Sequence, residues 1–167
     1  QCVELAQIES AVAPLAPAVM DYTANGRVEV RAGNRLPHAS PHGAFRCKDN
    51  EWQGQPEDRW IALGVFDDAQ WLGFVDAMGA PAWTSDPKFA TLEARKQNED
   101  ELESNVTAWT RARTAEEAMA ALQAKGVPAG VVQNARDVLG NDEHLKARQY
   151  YQYLDHPETG RAAYDGA

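Results

Sequence analysis

A chain of 167 residues has the length of one domain, and 44% apolar residues with five Trp and five Tyr are enough to build a core, which sets disorder aside for most of it. The formal charge of -9, from 25 acidic and 16 basic residues, repels phosphate backbones and excludes nucleic acid as an expected partner. No apolar run approaches the roughly 20 residues that cross a bilayer, and no charged leader precedes a cleavable apolar stretch, so a cytoplasmic protein with no membrane partner is expected.

The chain opens at Gln1 without Met, and Cys2, Val3, Glu4 and Leu5 alternate like a buried strand, so protein upstream of Gln1 is expected. From Gln7 to Asn25 the apolar positions Ile8, Val12, Leu15, Val19 and Met20 recur at helical spacing, with Gly26 as the stop. Pro14 and Pro17 predict a kink or a later start, because a proline inside a helix removes a hydrogen bond and clashes with the preceding turn. The helix is apolar nearly all round, which predicts burial against another domain or subunit. Arg27 to His42, with Gly33, Asn34, Pro37 and Pro41, reads as an irregular linker.

Gly43 to Lys48 and Arg59 to Phe66 read as two strands of a hairpin whose enlarged polar loop is Asp49 to Asp58. Asp67 with Gln70 predicts a capping box, opening a helix whose face is Trp71, Leu72, Val75 and Met78 and whose stop is Gly79. Ser85 and Asp86 before Pro87 open a short helical turn. Thr91 to Thr110 reads as a charged helix broken near Asn98, with Leu92, Leu102, Val106 and Trp109 inward and the acidic run from Asn98 to Glu103 solvated. Thr114 and Glu117 repeat the capping box, and Gly126 ends that helix. Val127 to Val132, interrupted by Pro128, reads as an edge strand. Asn134 to Leu139 and Asp142 to Arg148 read as short capped helices, and Tyr150 to Asp155 and Arg161 to Tyr164 as strands around a turn.

The densest polar cluster is Arg35, His38, Ser40 and His42, in the linker before the first strand, where a mobile loop closing over a ligand competes with a solvated connector. Pro37 and Pro41 forbid the regular helix on which His38 and His42 would share a metal, so no metal is expected. Ser40 lacks the strand-turn-helix setting of a nucleophilic serine, and the glycines are not spaced to cradle phosphate. Cys2 and Cys47 have no CxxC spacing and read as reduced packing residues, and the five Trp as core and rim rather than a stacking platform. These residues alone justify only a soluble α/β domain.

The order of segments says more. Cys2 to Glu9, then Asp21-Tyr22 to Gly26-Arg27, resemble a strand-to-helix step and the end of its helix in the family III coenzyme A transferases, which include formyl-CoA transferase, carnitine-CoA transferase and α-methylacyl-CoA racemase. Gly33-Asn34 through Pro41-His42-Gly43 to Cys47 resembles the family's loop into its small domain, followed by Trp60-Ile61-Ala62-Leu63. Ser85-Asp86-Pro87-Lys88-Phe89-Ala90-Thr91, with Ala94-Arg95 and Asn98, is similar to its most legible motif. Trp109-Thr110, Gly126 to Val131 and His156-Pro157 to Gly160 follow in the same order.

The resemblance implies an α/β fold in which a small α+β domain is flanked by a long helix and linkers from a large Rossmann-like domain, within an interlocked homodimer. Residues 1–42 would belong to the large domain, 43–132 to the small one, and 133–167 to the return linker. It implies a CoA thioester as substrate, with a carboxylic acid as acceptor and no tightly bound cofactor. An aspartate attacks the thioester to give a mixed anhydride, and a carboxyl-bound CoA thioester then passes CoA to the acceptor. That aspartate is expected upstream of Gln1, so no catalytic residue is assigned and the chain is expected to be a truncated, inactive part. Arg35, His38, Ser40 and His42 would belong to the lid that shields the intermediate from water, although Arg35 to Ser40 lacks that loop's glycines. In the racemase branch the carboxylate matched by Asp67 would face the acyl group. Two alternatives remain open here: a stand-alone binding or dimerisation module, and a piece of a racemase.

Overall fold

The computed structural model describes residues 5–165, which fall into two compact units, 5–33 and 34–165. The expected opening strand and Cys2 lie outside the described residues, apart from Leu5, which is not in a strand.

The first unit holds α1 (Gln7–Val12) and α2 (Ala16–Asn25), separated by one 3-10 turn at Ala13–Leu15. Pro14 and Pro17 each occupy an early position of a new segment, where no amide donor is needed, so the predicted kink is a break at Pro14. Gly26, at φ 68°, closes α2 through its N–H to the Tyr22 carbonyl. Neither helix has a buried residue, and Leu5 and Ile8 are each 80% exposed.

The second unit is built on an antiparallel sheet in the order β1-β4-β5, made of β1 (His42–Arg46), β4 (Trp60–Gly64) and β5 (Ala129–Val131). Its register pairs Phe45 with Ile61 and Ile61 with Val131, which sends these side chains to one face, while Ala44, Ala62 and Gly130 share the other. Three helices cover the first face: α3 (Asp68–Ala77), α5 (Glu99–Arg111) and α6 (Ala115–Gln123). Phe45, Ile61, Leu63, Val65, Phe74, Phe89, Leu102, Val106 and Leu122 form the core between them, and each such side chain contributes about 1.5–3 kcal/mol by leaving water. Trp71 and Trp109 are core residues, whereas Trp52 and Trp60 stay partly in water.

Several expectations change. The polar stretch after β1 is itself a hairpin, β2 (Asn50–Trp52) with β3 (Gln55–Glu57), whose turn at Gln53-Gly54 has both residues at positive φ. On α3 the inward face is Trp71, Phe74, Val75 and Met78, and Leu72 is exposed because it lies about 100° around the helix from Trp71. The reciprocal box at its start is incomplete: Asp67 accepts the Gln70 N–H, but the Gln70 side chain accepts from Phe66. The charged helix does break at Asn98, into α4 (Leu92–Gln97) and α5. Glu99 is buried rather than solvated, because Lys96 reaches it at 2.7 Å. The first of the two late helices is largely a π turn, Asp137–Asn141, followed by α7 (Glu143–Ala147), and β6 (Tyr151–His156) pairs with β7 (Gly160–Asp165).

Thr114 and Glu117 form the complete reciprocal cap at α6. Thr114→Ala leaves the Glu117 amide without that acceptor and is expected to lower stability by about 1 kcal/mol, measured as a fall in urea midpoint at constant slope.

Candidate functional site

The uncovered face of the sheet carries a cavity of about 370 Å³. Ala44, Ala62, Gly64 and Gly130 form its floor, and Asn34, His42, Phe66 and Pro128 its rim. The smallness of the floor is what leaves the space open. Gly64 is held to small size by its neighbours: a Cβ there would lie 2.8 Å from Phe66 and 2.9 Å from His42. Those two rings meet edge to face at 5.7 Å.

His42 opens β1 opposite Gly64, which fixes its backbone, and its Nδ1–H donates to the Asn34 carbonyl. The uncharged tautomer that makes this bond has Nε2 as its acceptor. Asp and Glu are absent from the described lining of this cavity. Such a wall offers apolar surface, one imidazole and one amide, but no carboxylate nucleophile.

The five residues singled out from the sequence separate into distinct settings. His42 lines the cavity, and His38, exposed, lies with its ring 6.3 Å from Phe66. Ser40 is fully buried, and its hydroxyl has no hydrogen-bond partner among the described residues. Its backbone joins the sheet instead: Ser40 N–H donates to the Val65 carbonyl at 3.0 Å and Val65 N–H to that of Pro41 at 2.9 Å. Arg35 turns to α5, where it grips Glu103 with two hydrogen bonds of 2.8 and 2.6 Å and also reaches Asp100, contacts that hold its guanidinium more firmly protonated. Asp67 is occupied as the N-cap of α3 and does not line this cavity.

Phe66 and Gly64 were missed by reading the sequence, as was Arg95. The first two are a strand end whose role appears only once His42 pairs across from it. Arg95 looked like one more charge on an exposed helix, yet it is 1% exposed and donates from Nε to the Ser40 carbonyl at 2.9 Å. Its place in the Asp86-Pro87-Lys88-Phe89-Ala90-Thr91 neighbourhood was the available signal.

A second, polar cavity of about 450 Å³ lies at the other end of β5, where Arg59, Glu116, Asp137, Asp142 and Glu143 meet. Among the described residues no group of three or more His, Cys, Asp or Glu is placed to hold a metal, and no helix is long and apolar enough to cross a membrane. Cys47 is a free, buried thiol, and burial, reinforced by Glu116, pushes its pKa up to about 11, so it is no nucleophile at neutral pH.

The sequence and the fold both have known relatives. The profile of CoA-transferase family III matches residues 1–167. The chain is 30% identical over 160 residues to succinyl-CoA–D-citramalate CoA-transferase of Chloroflexus aurantiacus, covering 96% of this chain and 38% of that protein. It is 28% identical over 131 residues to formyl-CoA:oxalate CoA-transferase of Bradyrhizobium diazoefficiens, covering 78% and 30%. A solved CAIB/BAIF family protein from Brucella suis superposes with a TM-score of 0.74 at 22% identity, over 100% of this chain and 45% of that one. The chain thus spans less than half the length of these relatives.

Proposed function

The chain belongs to CoA-transferase family III, and from that premise we propose that it supplies one wall and the closing loop of an acyl-CoA site in a protein that moves coenzyme A between carboxylic acids. The observation that carries this reading is the 370 Å³ cavity with its small-residue floor, bordered by the loop bearing His38, Ser40 and His42. A reactive acyl intermediate needs a wall that excludes water and contributes no competing nucleophile, and this lining fits that need. The attacking carboxylate is an aspartate outside this cavity. Its oxygen adds to the thioester carbonyl, the C–S bond breaks, and CoA leaves as the thiolate with the electron pair. The thiolate then attacks the aspartyl carbon of the resulting anhydride and expels the donor acid as its carboxylate. The acceptor carboxylate displaces the thiolate from this aspartyl thioester to form a second anhydride, and thiolate attack on its acceptor carbonyl gives the new thioester and frees the aspartate.

We propose further that this aspartate lies outside residues 1–167, so that the chain by itself performs no CoA transfer. The transferase relatives favour this chemistry over racemisation. The buried free thiol of Cys47 fits a reducing cytoplasm.

Succinyl-CoA titrated into the purified chain is expected to shift the His42 and Phe66 ring resonances and leave the Leu122 amide in place. Unmoved rings at millimolar ligand would defeat the cavity assignment, and CoA exchange by the chain alone would defeat the external aspartate. Arg35, held by α5, would anchor the start of the loop, and Asp67 would serve the corner after β4 through its cap.

A second reading concerns residues 5–33, whose exposed Leu5, Ile8, Val12, Leu15, Val19 and Met20 make an apolar surface of the kind that associating chains cover. We propose a homodimer through this unit. Light scattering should report twice the mass of one chain, and a strict monomer at high concentration would remove the reading.

A further inference from the structure

Among the described residues Arg95 is the largest fully buried side chain, and its charge has no buried counter-ion there. The carboxylate recorded beside it, on Asp68, stands 3.9 Å away with a side chain 87% exposed. The guanidinium donates to carbonyls instead: Nε to Ser40 at 2.9 Å and Nη1 to Phe89 at 3.2 Å, with Cζ 4.4 Å from the Trp71 ring centre. A buried charge without a buried counter-ion carries a desolvation cost that an apolar side chain of similar length would not, so packing alone is a poor reason for an arginine here. What an apolar residue cannot do is hold the Ser40 carbonyl. That carbonyl lies two residues before His42, at the point where the loop enters the sheet beside Val65.

We infer that Arg95 is a positioning residue, which fixes the Ser40 carbonyl and thereby sets the loop of His38 and His42 against the cavity. The motif after Phe89 and the loop before β1 are then one device: α4 carries the clamp, and the loop carries the groups it aims. The functional meaning of the clamp rests on the proposed acyl-CoA site, but the clamp itself can be tested without any ligand.

Amide hydrogen exchange on the purified chain is the measurement. In Arg95→Met the Ser40 and Val65 amides, which donate to the Val65 and Pro41 carbonyls, are expected to exchange roughly tenfold faster or more, the scale of losing one hydrogen bond to a charged group. The Val106 and Leu122 amides should stay near their original rates. Arg95→Lys, which keeps the charge and one donor, should recover part of the loop's protection. A uniform acceleration through core and loop would mark Arg95 as ordinary structural support and overturn the inference, as would an unchanged loop. If Arg95→Met does not fold, the same comparison in Arg95→Lys decides, with partial and loop-restricted loosening expected. Succinyl-CoA added to both proteins separates the two ideas. A loop loosened by the substitution, in a parent chain whose His42 ignores succinyl-CoA, keeps the clamp and rejects the acyl-CoA site.

Discussion

Gly73→Ala is expected to destabilise the second unit by about 2 kcal/mol or more, where the same change in an exposed helix interior would stabilise by about 1 kcal/mol. Gly73 sits on α3 where the chain leaving α6 crosses it. A Cβ at this position would lie 2.3 Å from the Lys125 carbonyl oxygen and 3.3 Å from its carbon. Both obstacles are backbone, so relief requires α3 to move away from α6, and that movement would open the core at Phe74 and Leu122. The surface pair of Lys125 with Asp76 across the same contact, at 2.6 Å, is exposed and adds little. A fall of about 4–8 °C in melting temperature is expected for a chain of this size. Gly140→Ala is the control, because nothing lies within 4 Å of a Cβ there. A Gly73→Ala protein as stable as its parent would mean that the helices do not approach this closely.

What the sequence made legible were features governed by local rules. Alternation over Ile61, Leu63 and Val65 marked the central strand, and the spacing of Thr114 and Glu117 marked the start of α6. The irregularity at Asn98 marked a real junction between helices, and Pro128 an edge strand. The β2-β3 hairpin was invisible because most of its residues are exposed, so no apolar alternation announces it. Arg95 and Glu99 were misread for a different reason: a charge is assigned to solvent unless its partners are known, and Arg95 finds its carbonyl partner 55 positions earlier in the chain. The candidate site was legible on one side only. The loop with His38 and His42 stood out by composition, but the floor of Ala44, Ala62 and Gly130 comes from three strands, which only the tertiary pairing brings together.

Asp137→Ala is expected to cost about 3 kcal/mol, the low end of what breaking a buried ion pair costs. Arg59 is 4% exposed, and its guanidinium donates to Asp137 at 2.5 Å and to Glu116 at 2.9 Å. Glu116 is half in water, so it compensates Arg59 only in part once Asp137 is gone. Asp137 also organises its own turn, accepting the Asn134 N–H while its N–H donates to the Asn134 side chain. Burial works against ionisation of Asp137, but the hydrogen bonds from Arg59 and from the Asn134 backbone outweigh it and hold the carboxyl below the usual carboxylate range. A folded pKa below the unfolded one adds stability that is complete above the unfolded value, near pH 4, and is lost as pH falls through the folded value. Urea unfolding of the parent chain should therefore weaken on acidification below about pH 4, and the Asp137→Ala chain should show a shallower loss over the same range. The pair Arg59→Met with Asp137→Leu removes both charges and should recover most of the stability at neutral pH, because neither partner is left stranded. Equal stabilities for the parent and Asp137→Ala at neutral pH would show that water at this cavity already screens the pair.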